Sequence, residues 1–304
     1  MSTKECLDIS NQLSDIGCKY ASLIGGEVFL RSDWDIIAKS LVTGGVRTSI
    51  ITNGYRMSEE ILEKMIECGI QSVAVSLDGP KGVHDEYRHL GSYDRAIGSI
   101  MDIASHGIPV SVISTLNNKN ASRLVEFYSF LQQLPIFAWQ IQACSPMGNA
   151  WTHEINFHVD FHEVLQFVAD HVEIAPFKMG VADNIGYFTN EEGFVRGNMS
   201  GFAVFSGCQA GITSIGIDSV GNVRGCESMY ADCFIEGNLR KKTLKEIWND
   251  PNAFSYNRKF MQDMLTGKCA VCPHGEYCKA GCRSYNFFVH GKMYESPSCA
   301  CICT

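Results

Sequence analysis

Apolar positions along the first 143 residues alternate between two periods. Leu7, Ile9, Leu13 and Ile16 recur at helical spacing over about 3–16. The run Tyr20-Ala21-Ser22-Leu23-Ile24 follows and stops at Gly25-Gly26. The cycle then repeats: helix about 33–43, strand 48–51, turn Asn53-Gly54; helix 57–68, strand 72–77, turn Asp78-Gly79; helix 92–106, strand 110–116; helix 120–133, strand 138–143. Five strands alternating with helices predict an α/β fold with a parallel sheet and right-handed crossovers. Several strands are almost continuously apolar, as strands buried on both faces are, which favours a barrel or partial barrel over an open doubly wound sheet. Glu27, Asn53, Asp78, Asn117 and Gln142 fall at or just after strand ends. That is the rim where parallel barrels bind ligands, although Asn and Asp beside Gly also serve simply as turn formers.

The pattern changes after residue 143. Residues 144–200 are mixed, with a helix expected at 160–171 and a Gly/Asn-rich stretch at 180–201. A cysteine-rich region begins at about 202. It holds a hairpin over 212–224 turning at Asp218-Ser219-Val220-Gly221, and a short helix from Thr243 to Trp248 with Thr243 as N-cap and Glu246 three residues on. The expected division is a β/α region at 1–150, a bridge at 151–201 and a cysteine-rich domain at 202–304.

Composition changes this picture in one respect. A chain of 304 residues that is 45% hydrophobic and 19% charged has room for two folded domains and is not a disordered chain. A formal charge of −8 argues against a nucleic-acid binder, and no apolar run is long enough to span a membrane. The first 20 residues lack the basic start and apolar block of a signal peptide, which points to the cytoplasm and reduced thiols. Yet the chain has 14 cysteines, most of them from Cys208 onward. Clustered cysteines in a reducing compartment point to metal rather than disulfides. Cys6, Cys18, Cys68 and Cys144 are scattered through the repeat region and read as core thiols.

The cluster reads Cys208-x12-Gly221-x4-Cys226, then Cys269-x2-Cys272-x5-Cys278-x3-Cys282, then Cys299, with Cys301 and Cys303 trailing. Thiolates suit zinc or iron–sulfur. A zinc ribbon wants two facing Cys-x2-Cys knuckles, and only one such pair exists. Seven or more cysteines exceed one four-thiolate site, so two iron–sulfur clusters fit better.

This pattern resembles the SPASM domain of radical SAM (S-adenosylmethionine) enzymes. Glu236-Gly237-Asn238-Leu239, Leu244-Lys245-Glu246-Ile247-Trp248 and Ser296-Pro297-Ser298-Cys299 are similar to segments of that domain. Upstream, Gly25-Gly26-Glu27-Val28 resembles the family's GGEP segment with Val in place of Pro. Ser76-Leu77-Asp78-Gly79 and His84-Asp85-Glu86-Tyr87-Arg88 resemble further family segments. The resemblance implies that Gly25, Gly26 and Glu27 meet the methionyl amino group of S-adenosylmethionine, and that Ser76 and Arg88 hold its carboxylate. An ion pair of Arg88 with Asp85 or Glu86 is the plainer alternative. It also implies two auxiliary clusters of the 4Fe-4S type. Cys208, Cys226 and Cys282 would hold the first, which is left one ligand short or completed by Cys233. Cys269, Cys272, Cys278 and Cys299 would hold the second, with Cys301 as the alternative to Cys299. The implied activity is oxidation or crosslinking of a peptide or protein substrate, with a ferredoxin or flavodoxin as electron donor.

One family feature is missing. No Cys-x3-Cys-x2-Cys triplet, which holds the initiating cluster, occurs in these 304 residues, and the pattern begins on a helix where a β/α barrel begins on a strand. The expected fold is therefore a partial radical SAM barrel without its first strand, followed by a SPASM domain. Three readings remain open: a peptide or protein maturase recorded from an internal start; a non-catalytic iron–sulfur binding or electron-transfer partner; and a zinc-bound structural protein.

Overall fold

The computed structural model describes residues 1–147, 159–200 and 204–301. Six parallel strands form one sheet in unbroken order: β1 (Tyr20–Leu23), β2 (Arg47–Thr52), β3 (Ser72–Ser76), β4 (Val110–Leu116), β5 (Ala138–Ala143) and β6 (Lys178–Val181). Each strand pairs only with its sequence neighbours, so the order never reverses as it would at the switch point of a doubly wound sheet. β6 lies within the segment expected to be a bridge. It is short, and its Lys-Met-Gly-Val sequence has no alternation to betray it.

The helices between strands are α1 (Thr3–Asp15), α2 (Trp34–Thr43), α3 (Glu59–Cys68), α4 (Lys81–Tyr87), α5 (Ser92–Ser105), α6 (Leu124–Leu131) and α7 (Phe161–His171), with α8 (Glu192–Ser200) after β6. Local chemistry fixes several ends. Ser2 and Glu5 form a capping box at α1, Ser58 caps α3, and Gly69 closes α3 with φ +75°. α4 has no counterpart in the expected elements. The region expected to be one helix over 120–133 is a single 3-10 turn at Ala121–Arg123 running into α6. The main core lies between sheet and helices, around Trp139, Ile50, Leu77 and Ile141.

The cysteine-rich region is loop-dominated. β7 (Gly216–Ile217), β8 (Asn222–Arg224) and β9 (Gly237–Asn238) form a small antiparallel sheet whose first two strands are the expected hairpin. α9 (Leu244–Asn249) begins with the expected Thr243–Glu246 capping box. α10 (Ser255–Arg258), α11 (Gly275–Cys278) and α12 (Arg283–His290) complete the region.

The two parts are tied at both ends. From α1, Glu5 pairs with Arg240 at 2.6 Å, Gln12 accepts from the Leu244 amide at 2.6 Å, and Leu13 and Ile16 pack on the second core. From the far end, Tyr285 and Ala300 join the sheet's own core.

Candidate iron–sulfur centres and the barrel rim

At the carboxyl end of β1, the Gly25-Gly26 corner is exposed, and a side chain added at either glycine would meet nothing. The space above it is open to a ligand. Glu27 is buried beside it. Its carboxylate accepts from the Thr52 hydroxyl at 2.8 and 2.9 Å, the Asn53 amide at 3.0 Å and the Phe29 amide at 3.3 Å. These contacts engage both carboxylate oxygens and hold Glu27 in place beside the open corner.

At the ends of β3 and β4 the rim is a closed polar network. The Asp78 amide donates to His84 Nδ1 at 3.1 Å, and the Asp78 carboxylate accepts from the Thr115 amide at 2.9 Å. Arg88 donates to the same carboxylate through Nε at 2.6 Å and Nη2 at 3.4 Å. The Arg88 fork is thus engaged by Asp78, not by Asp85 or Glu86. Asp85 accepts from the amides of Gly91 and Tyr93, and Glu86 pairs with Lys119. No side-chain hydrogen bond joins Ser76 or Arg88 to the Gly25–Glu27 corner among the described residues. Asn120 donates to the carbonyls of Asp78 and Thr115, both at 2.8 Å, and Gln142 donates to the Thr115 hydroxyl at 2.9 Å. Burial pushes the His84 pKa down, so the ring stays neutral and accepts from Asp78. Asn120, Thr115 and Thr52 carry no motif, and only the fold brings them to the rim.

Cys144 follows β5. It is buried, and its thiol is pushed up to about 12, first by desolvation and then by Asp78. Tyr285 of α12 lies within electrostatic reach of both Cys144 and Cys282. The rim therefore leads toward the cysteine-rich region.

There the seven cysteines fall into two groups. Cys269, Cys272, Cys278 and Cys299 line one narrow cavity together with Tyr187, Phe188, His274, Ser296 and Cys301. Burial raises the Cys278 thiol, and Cys299, Cys269 and Cys272 raise it further; Cys299 responds to Cys269 and Cys272 in the same way. Cys282 is raised by burial and then by Cys208, and Cys226 by burial, by Glu227 and, more weakly, by Cys282. Thiols gathered in apolar surroundings resist ionising together unless cations lie among them, which is the chemistry of a metal–thiolate site. Among the described residues, no three His, Cys, Asp or Glu side chains crowd together tightly enough to hold a single ion. The four thiols of the larger group line the walls of a cavity instead. Cys233 is exposed in the 3-10 turn at Asp232–Phe234. Cys303 and residues 201–203 lie outside the described residues.

The turn between the groups is unusual. Lys279, Ala280 and Gly281 all have left-handed φ, at 53°, 64° and 75°. Three such residues in a row reverse the chain between Cys278 and Cys282, and the strain is offset by hydrogen bonds. Gly281 donates to the Cys278 carbonyl at 2.9 Å, Asn286 donates to the Ala280 carbonyl at 2.6 Å, and Arg283 donates to the Lys279 carbonyl. Cys282 is the N-cap of α12 and its sulfur accepts from the Tyr285 amide at 3.5 Å.

Comparison with known proteins agrees with this layout. Residues 1–131 match the Radical SAM superfamily profile, and residues 208–273 match the SPASM profile, an iron–sulfur cluster-binding domain. Residues 1–131 therefore carry a radical SAM domain, and residues 208–273 a SPASM domain. It is 25% identical over 310 residues to an AdoMet-dependent heme synthase of Methanosarcina barkeri, covering 98% of this chain and 87% of that one. It is also 25% identical over 307 residues to the mycofactocin maturase MftC of Mycobacterium tuberculosis, covering 99% and 75%. Among solved structures, Streptococcus suis SuiB bound to S-adenosylmethionine superposes with a TM-score of 0.77 at 18% identity, covering 97% of this chain and 69% of SuiB.

The radical SAM and SPASM domains imply S-adenosylmethionine and iron–sulfur clusters. The donor sets differ in how they fit. The two groups of SPASM thiols have the donor chemistry of iron–sulfur ligands. The open Gly25-Gly26 corner beside a buried carboxylate fits an ammonium. Among the described residues no third cysteine joins Cys6 and Cys18 as a ligand set for the initiating cluster, and the Cys18 thiol donates to the Tyr20 carbonyl at 3.2 Å. Among the described residues, no helix is long and apolar enough to cross a membrane.

Proposed function

We propose that this chain is the substrate-binding and auxiliary-cluster part of a radical SAM/SPASM oxidoreductase or maturase that modifies a peptide or protein in the cytoplasm. Cys208, Cys226 and Cys282 hold one auxiliary cluster, with Cys233 or substrate as a fourth ligand. Cys269, Cys272, Cys278 and Cys299 hold the other. Gly25, Gly26 and Glu27 receive the methionyl ammonium of S-adenosylmethionine; Ser76 stands at the end of β3 on the same rim. Arg88 acts there with Asp78 rather than as a free fork. When bound, the clusters supply one-electron transfer, with a ferredoxin or flavodoxin as outside donor.

The observation that carries this reading is the sorting of seven cysteines into two groups, with Cys282 and Tyr285 packed against the sheet's own core. A peptide is favoured over a tetrapyrrole by the rim's chemistry. Arg88 and Lys119 on the rim are each paired with an acid, and the rim also carries the amide side chains of Asn53 and Gln142, held by Tyr55 and Thr115. Amides match a peptide backbone, whereas porphyrin carboxylates need free cations. SuiB has also been solved bound to its precursor peptide SuiA.

The second reading, a non-catalytic electron-transfer partner, is favoured by the missing Cys-x3-Cys-x2-Cys. Anaerobic reconstitution separates the possibilities. About 8 Fe per chain, at ~4 per cluster, supports the two-cluster assignment. Zinc without iron defeats it. 5′-Deoxyadenosine above a no-protein control would establish S-adenosylmethionine cleavage; its absence with both clusters loaded favours the partner reading.

A further inference from the structure

Arg283, next to Cys282, is fully buried. Its Nη1 donates to the carbonyls of Lys279 and of Met293, the latter at 3.1 Å. Its guanidinium carbon lies 4.5 Å from the Tyr294 ring centre and 5.4 Å from that of Phe260. Nε and Nη2 have no hydrogen-bond partner among the described residues. Arg283 directly follows Cys282 in sequence, and the Lys279 carbonyl that it holds directly follows Cys278. A buried guanidinium with two idle donors is among the most costly arrangements a protein core can hold.

Cys208 and Cys282 belong to one group and Cys278 to the other. The idle cation is therefore held beside one cysteine of each of two sites that become anionic when loaded. We propose that Arg283 is the shared counter-charge of the two auxiliary clusters, a positioning residue that sets both reduction potentials from one buried guanidinium. A thiolate-bound cluster carries net negative charge, and reduction adds to it. A fixed cation in a low-dielectric setting favours the reduced form, and N–H donors toward sulfur act in the same direction. Lysine would keep the charge but not the planar fork, and methionine would keep the bulk alone.

This inference rests on the assignment of the seven cysteines to two clusters. The test is potentiometric EPR of reconstituted wild type, Arg283→Met and Arg283→Lys, with iron counted in each. In Arg283→Met holding both clusters, both midpoint potentials shift to more negative values, while Arg283→Lys stays nearer wild type. Unchanged potentials, or a shift in one cluster alone, overturn the proposal. If Arg283→Met fails to load iron and Arg283→Lys loads it, the charge requirement is supported. Failure of both variants means that the fork is needed to pin the Lys279 turn, and the counter-charge role is overturned. Wild type that holds fewer than two clusters overturns the ligand assignment, and this inference with it.

Discussion

The backbone amide of Cys282 donates to the hydroxyl of Tyr187 at 3.0 Å, across 95 positions of sequence. The same hydroxyl donates to the Asp183 carbonyl at 2.8 Å. Tyr187 is buried and also lines the Cys269–Cys299 cavity. Tyr187→Phe removes the oxygen and leaves both backbone groups unpaired. An expected loss of about 1–3 kcal/mol follows from stranding buried donors and acceptors, read as a lower midpoint in denaturant unfolding of the loaded protein. A midpoint equal to wild type would show that water takes over both contacts.

Cys278 and Cys282 are four positions apart yet belong to different groups. Cys278→Ala is expected to remove the signal of one cluster and spare the other, and Cys282→Ala to do the reverse. Mössbauer spectra of the two variants read this directly. Loss of the same signal in both would place the two sulfurs on one cluster.

Gly281 has φ +75°, and a methyl added there would run into the Tyr187 ring. Gly281→Ala combines backbone strain with overpacking, so a loss of roughly 2 kcal/mol or more is expected. Gly107 has a similar φ of +74° with open space around it, so Gly107→Ala isolates the backbone part. Equal losses at the two sites would remove the ring clash from the account.

His84 is neutral because burial lowers its pKa, and its Nδ1 accepts from the Asp78 amide. Above about pH 6.5, the ordinary histidine value, neither folded nor unfolded chain takes up a proton here. As pH falls below that value the unfolded chain is protonated first. Stability is then lost progressively until the lower folded value is passed. His84→Gln is expected to flatten this part of the stability profile below about pH 6.5. Parallel profiles for the two proteins would mean that other groups carry the dependence.

Much of this was legible in the chain. Strands β1 to β5 and α1 announced themselves by period, and α9 by Thr243 and Glu246, because each rule acts within a few residues. The cysteine spacings resembled a known domain closely enough to imply its clusters. What escaped is what depends on distant neighbours. β6 is four residues long and owes its existence to pairing with β5. Arg88 looked like a free fork or a surface partner of Asp85 or Glu86, and Asp78, ten residues earlier, holds it instead. Arg283 and Tyr187 carry no local mark, since nothing in a linear pattern separates a buried arginine from a surface one.

The turn at Lys279–Gly281 also limits how this domain can vary in length. Most loops tolerate an added or lost residue because their ends can be rejoined by many paths. Here three consecutive left-handed residues are the whole connection between Cys278 and Cys282, and each step of the path is fastened to a different neighbour. Adding or removing one residue would swing Cys282 away from Cys208 while leaving Cys278 in its cavity. Insertions can accumulate in the long stretch between Cys226 and Cys269, but this three-residue spacer is a ruler.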